Sequence, residues 1–202
     1  MMKWIQLDLI NSNSRHYIDV DIHNIYYLRH YISRGGYQAS ETNDLISNFK
    51  KNPNSSSAVI QYKKGAIDKF SLELSSIFKH DFNYPACMSW IPTSCAKTDP
   101  NYDNRLEQVV NNVCKNIKIS PIEAFITIES KQSFHSNAER KESSIKNSII
   151  WNQNISLSNY DIIFIIDDVL ITGLSFKTIH DLIKERYPNI FVYGLIWAIT
   201  IR

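Results

Sequence analysis

The chain has 202 residues, of which 44% are hydrophobic and 21% charged, with a formal net charge of +2; that suits one α/β domain with an elaboration and a core that needs no covalent staples. The near-neutral balance and the lack of a basic or aromatic motif argue against direct nucleic-acid binding, and no apolar run approaches the ~18 residues a membrane span requires. Cys87, Cys95 and Cys114 have neither disulfide nor zinc spacing, and Asp8 directly follows the apolar Trp4, Ile5 and Leu7, so no signal peptide is expected and a cytoplasmic setting is the default.

In chain order, Tyr26, Tyr27, Leu28, Tyr31 and Ile32 suggest a short aromatic helix broken at Gly35-Gly36. Ser40 is placed to cap a second helix with Leu45, Ile46 and Phe49 on one face. Asn52 to Ser57 reads as an exposed loop, and the pairs Lys50-Lys51 and Lys63-Lys64 as solvated helix ends and turns. Ala58 to Tyr62 is predicted as a short strand. Residues 66–79 form an amphipathic helix with Ile67, Phe70, Leu74, Ile77 and Phe78 on one side.

Met88 to Ile91 predicts a strand ending at Pro92. A loop over Thr93 to Thr98 follows, and Asp99-Pro100 is expected to open a helix bearing Leu106, Val109, Val110 and Val113. Ala124 to Ile128 and Ser148 to Trp151 are further strand candidates, separated by a polar stretch over 130–147. Ile162 to Ile166 is an apolar run too short for a helix. Residues 175–186 fit a helix with Phe176, Ile179, Leu182 and Ile183 inward, ended at Tyr187-Pro188, and Phe191 to Ile199 closes the chain as a strand. Continuous apolar strands between amphipathic helices predict a mostly parallel twisted sheet flanked by helices. Residues 1–85 are expected to form an N-terminal hood and 86–202 the core.

The chemistry concentrates after the Ile162–Ile166 run, in Asp167-Asp168-Val169-Leu170-Ile171-Thr172-Gly173-Leu174-Ser175. A buried strand delivers two carboxylates to the edge where open α/β sheets bind ligands. Gly173 permits positive φ or close backbone approach, and a helix N-terminus offers amides and a favourable dipole for an anion. Thr172 and Ser175 add hydroxyls. Acids at a strand end before a helix cap also occur in α/β proteins without such a ligand, so the ordered combination carries the weight.

That combination resembles the phosphoribosyl-diphosphate signature of type I phosphoribosyltransferases: an apolar strand, an acidic pair, and a Thr-Gly turn closing on Ser or Thr. The resemblance implies a type I phosphoribosyltransferase-like fold. It assigns Asp167 and Asp168 to the ribose and, often indirectly, to Mg2+, and Ile171, Thr172, Gly173, Leu174 and Ser175 to the 5-phosphate. Ile171 stands where threonine is common, and Leu174 where a small residue is. The strand and loop Trp90-Ile91-Pro92-Thr93-Ser94-Cys95-Ala96-Lys97 are similar in position to the family's diphosphate loop, which makes Thr93, Ser94, Cys95, Ala96 and Lys97 substrate-binding candidates; an ordinary strand-to-helix loop remains open. The segment also resembles the competence-protein-F-like branch, with Arg105 in the place of its helix arginine. The family's closing loop falls on 131–147, where Lys131, His135, Arg140, Lys141 and Lys146 are candidates and Arg140 is the first choice as catalytic residue. His16, His23, His30, His80 and His180 have no metal-ligand spacing and read as surface or packing residues.

The expected activity is magnesium-dependent transfer of phosphoribosyl from phosphoribosyl diphosphate to a nitrogen nucleophile, releasing diphosphate, with parts of residues 1–85 reading the acceptor. The alternative is a non-catalytic nucleotide-sensing or partner-binding subunit of a bacterial antiviral system such as a retron-associated complex. A homodimer and a protein partner both remain open. Replacing both aspartates with asparagine is expected to abolish ribose-phosphate binding while sparing the fold.

Overall fold

The computed structural model describes residues 3–8, 15, 17–78, 84–128 and 148–201. The main sheet contains β1 (Ile5–Gln6), β2 (Asn24–Ile32), β3 (Ala86–Trp90), β4 (Ser120–Pro121), β7 (Ile162–Leu170) and β8 (Phe191–Ile201), in the spatial order β1-β2-β8-β7-β3-β4. Every pairing is parallel except β1 with β2. A separate antiparallel pair joins β5 (Phe125–Thr127) to β6 (Ile149–Trp151). The helices are α1 (Glu41–Phe49), α2 (Ser57–Ser75), α3 (Arg105–Cys114) and α4 (Leu174–Arg186). Among the described residues no helix is long and apolar enough to cross a membrane.

The parallel arrangement follows from strands that are apolar on both faces. On β7, Ile163 and Ile165 pack into one core with Phe176, Ile179 and Ile183 of α4. Phe164 and Ile166 point the other way, into a core with Ile46 and Phe49 of α1, Ile67, Phe70 and Leu74 of α2, and Leu106, Val109, Val110 and Val113 of α3. Helices therefore cover both sides. Trp197 of β8 centres the second core: Phe70 stacks on it at 4.6 Å between centroids, and Phe49 meets it edge-on at 5.4 Å. Its Nε1 donates to Glu73 Oε2 (2.7 Å), which also accepts from Arg29 Nε (2.9 Å), so this buried polar group is satisfied.

The connections place the ligand edge. From β3 the chain passes through α3 to β4, while from the neighbouring β7 it passes through α4 to β8 on the opposite side. Adjacent strands whose connections depart in opposite directions make a topological switch point, and a crevice opens outside their carboxyl ends. The two ends lie close, since Ile91 N–H donates to Ile166 O at 3.0 Å.

Several local expectations are corrected. Residues 26–32 form a strand, because their aromatic and β-branched side chains fit a pleated surface and β8 supplies a parallel partner from Asn24↔Tyr193 to Ile32↔Ile201. Ala58 to Tyr62 is not a strand but the start of α2, whose buried face (Lys63, Ala66, Ile67, Phe70, Leu74) propagates helix back over Val59 and Ile60. That helix ends at Ser75, short of 79. Asp99 does not cap α3, which starts at Arg105 after Asn104; its Oδ1 instead accepts the Asn101 N–H at 2.8 Å in a local turn. β7 runs past Ile166 to Leu170, because β8 is long enough to pair it through Leu170↔Ile199. The Ser40 cap is as expected: its Oγ accepts the Asn43 N–H at 3.0 Å.

Candidate functional site

Asp167 and Asp168 lie in the second half of β7, within the strand rather than beyond it. Successive strand residues face opposite sides, so the two carboxylates have different surroundings. Asp168 is buried. Its Oδ1 pairs with Lys50 Nζ at 2.9 Å, and its Oδ2 accepts from Arg105 Nη2 at 3.1 Å and Nε at 3.3 Å. Burial opposes its charge, but Lys50 and Arg105 outweigh that and hold its pKa below the ordinary carboxylate range. Asp167 is half-buried, and its Oδ1 accepts the Asp168 N–H at 2.8 Å. Burial and the neighbouring Asp168 charge push its pKa up to about 7. One acid is neutralised by cations, and the other is poised near neutrality.

The cations arrive from three elements. Lys50 follows α1 directly. Arg105 opens α3, where a positive charge opposes the helix dipole, yet Asp168 and Asp103 hold it there. Its guanidinium also lies 5.4 Å from the Phe49 ring centroid. Asp103 Oδ2 is shared by Arg105 Nη1 (2.7 Å) and Lys63 Nζ (2.6 Å), and Lys63 further donates to the carbonyls of Phe49 (3.0 Å) and Lys51 (2.7 Å). The expectation that Lys63 is solvated is corrected, since it is buried, whereas Lys50 is exposed at the end of α1 as expected; both belong to a chain of alternating charge, Lys50–Asp168–Arg105–Asp103–Lys63. No local pattern marks these pairings, because the carboxylate partners lie 40 or more residues away, as Asp103 does from Lys63.

The turn after β7 has the expected backbone. Gly173 has φ 85° and caps α4 in the left-handed region. A Cβ there would sit 2.3 Å from Ile18 Cγ1, so glycine is also required by close approach. The Leu174 N–H meets Thr172 Oγ1 at 3.5 Å, and the first intrahelical bond runs from Lys177 N–H to Gly173 O at 2.9 Å. The amides of Gly173, Leu174, Ser175 and Phe176 precede it and have no partner within the helix. Ile171 and Thr172 are exposed, Ser175 is half-buried, and Gly173 and Leu174 are buried. Residues 17–18 cover one flank, with Tyr17 N–H donating to Thr172 O at 3.3 Å.

The loop after β3 leaves the same edge. Thr93 Oγ1 donates to Cys95 O at 3.3 Å, and Thr93 O accepts from Thr127 Oγ1 at 2.6 Å. Ser94 and Lys97 are exposed, Cys95 is half-buried and Ala96 buried. Lys97 Nζ is paired with Glu123 Oε2 at 2.7 Å. Arg140, with Lys131, His135, Lys141 and Lys146, lies outside the described residues, as do His16 and His80.

The donor set for magnesium is narrow. Both Asp168 oxygens already face cations, which disfavours it as a direct ligand. Among the described residues Asp167 has no ion-pair partner, and one of its oxygens lies outside its backbone hydrogen bond, so of the two carboxylates it is the one that fits. Magnesium commonly takes one or two carboxylates and completes its shell with water and substrate phosphates. No family model matches the chain, and no curated protein matches it.

Proposed function

We propose that this is a type I phosphoribosyltransferase-like protein that binds phosphoribosyl diphosphate at the β3/β7 switch point. One observation carries the reading: the acidic pair and the Gly173 turn stand side by side at the carboxyl end of β7, and the 93–97 loop leaves the adjacent strand at the same edge. In this reading the amides and hydroxyls of 171–175 take the 5-phosphate. Asp167 accepts hydrogen bonds from the ribose hydroxyls, while Arg105 and Lys50 hold Asp168 rigid and lend positive potential to the crevice. Lys97 would leave Glu123 for diphosphate. Magnesium, held by Asp167 together with the ligand's own oxygens, would supply charge neutralisation for the leaving diphosphate. The phosphate turn contributes positioning through binding energy remote from the reacting bond.

A second reading, a non-catalytic nucleotide-binding subunit, draws on a specific observation: both Asp168 oxygens and Lys97 are already paired within the chain. Such a balanced site can bind without turnover. Diphosphate release, measured with magnesium and a panel of nucleobases and amines, separates the two. Release with any acceptor supports the enzyme; tight binding with no release across the panel supports the subunit. Absence of both binding and release overturns the phosphoribosyl reading.

A further inference from the structure

Away from the acidic pair, the turn over 19–23 meets the middle of α4. His23 and His180, 157 positions apart in sequence, are both buried and meet edge-on with ring centroids 4.6 Å apart. Asp181 stands beside them. One ligand-competent atom from each of His23, His180 and Asp181 lies within 4.8 Å of the others. Among the described residues His180 Nδ1 is buried without a hydrogen-bond partner, at 3.7 Å from Asp181 Oδ1. An orphaned imidazole nitrogen in a protein interior forfeits hydrogen-bonding free energy unless something occupies its lone pair.

The surroundings select what that occupant is. His23 Nδ1 accepts the Asp19 N–H at 2.9 Å and also lies 3.0 Å from the Asp19 carbonyl; in the tautomer that donates to that carbonyl, Nε2 is left for an external group. An imidazole whose far nitrogen donates to a backbone carbonyl is the usual supporting arrangement of a metal-bound histidine. Asp181 divides its two oxygens: Oδ2 pairs with Lys177, and Oδ1 faces His180. We infer that His23, His180 and Asp181 form a binding site for one divalent first-row transition ion such as zinc, with water in the remaining position.

Two imidazoles and one carboxylate are a borderline-soft donor set, suited to zinc and its neighbours rather than to magnesium or calcium. Ligand atoms around tetrahedral zinc lie about 3.3 Å apart, so closure requires a contraction of roughly an ångström or more, which the exposed Asp181 side chain can supply by rotation. The ion would fasten the 17–23 segment to α4. That segment already covers Gly173 through Ile18, so the site would brace the turn that opens the helix. The inference stands independently of any phosphoribosyl ligand.

The test uses the full chain stripped of metal and titrated with Co2+ and then Zn2+, read by visible absorption and by long-range nitrogen–proton spectra of the histidine rings. The expected result is one equivalent of Co2+ giving ligand-field bands that Zn2+ displaces. The ring signals of His23 and His180 shift, while those of His16, His30, His80 and His135 do not. His180→Asn is expected to lose the one-equivalent site, and Asp181→Asn to weaken it. The wild-type ring spectra decide the matter even where a histidine variant does not fold. No one-equivalent binding at micromolar metal, ring shifts confined to other histidines, or unchanged binding in a folded His180→Asn protein each overturns the inference.

Discussion

Asp168→Asn separates the demands of the fold from those of the ligand. The substitution keeps shape and removes one charge from a carboxylate whose side chain is 6% exposed, between Arg105 at 17% and Lys50 at 41%. The Lys50 pair is half in solvent and contributes at most about 1 kcal/mol. The Arg105 pair is the buried one, and removing one partner of such a pair typically costs about 3–5 kcal/mol, because the remaining charge stays desolvated. Asparagine can still accept one hydrogen bond and Arg105 retains Asp103, so the lower end applies: about 3 kcal/mol, or roughly a 6–12 °C fall in Tm for a chain of this size. Urea unfolding of the wild type, Asp168→Asn, Arg105→Gln and the double variant forms the cycle that measures it, with an expected coupling of roughly 1–3 kcal/mol. A loss below about 1 kcal/mol in Asp168→Asn, or strictly additive effects, would refute the argument that this network ties α1 and α3 to β7. Because Asp168 pairs with two cations, replacing both aspartates is predicted to lower stability, against the expectation that the fold is spared.

Asp167 should behave in the opposite sense. Its folded pKa is raised from the ordinary 3.8 to about 7, so its contribution to stability is fully present below about pH 4 and is lost as pH rises through 7. Asp167→Asn is therefore expected to stabilise the protein at pH 8 by about 1–2 kcal/mol and to flatten the decline between pH 4 and 8, as followed by urea midpoints. Gly173→Ala, at φ 85° and with a Cβ 2.3 Å from Ile18 Cγ1, should lose about 2–3 kcal/mol; adding Ile18→Ala should recover only the contact part, as read by thermal unfolding. Lys63→Met should lose about 2 kcal/mol, while the same change at the exposed neighbour Lys64 stays within about 0.5, as read by urea midpoints.

The parts of the molecule legible in the sequence are those set by short-range pattern. The apolar run before Asp167, the Ser40 cap, the Gly173 turn and the faces of α3 and α4 each declare themselves within one or two helical turns or one strand. Residues 26–32 misled because a cluster of tyrosines satisfies either a helical stripe or a pleated surface, and only pairing with β8, some 170 residues later, decides between them. Ala58 to Tyr62 misled for the converse reason: local β-propensity yields to the helix that its continuation, Lys63 to Leu74, buries against the sheet. The charge chain through Lys50, Asp103 and Lys63 and the contact of His23 with His180 are long-range, and charge or histidine placement in sequence carries no signal for them. That Arg105 grips Asp168, 63 residues away, has no local signal in the sequence either.

The central claim rests on Asp167 and the adjoining turn, and calorimetric titration of the wild type and Asp167→Asn with phosphoribosyl diphosphate and magnesium tests it most directly. Because that substitution is expected to leave the fold at least as stable, a loss of binding cannot be assigned to unfolding. The account predicts one molecule bound per chain by the wild type and a loss of at least about tenfold in the variant, equivalent to ~1.4 kcal/mol. No heat of binding in the wild type, or equal affinity in the two proteins, would contradict it.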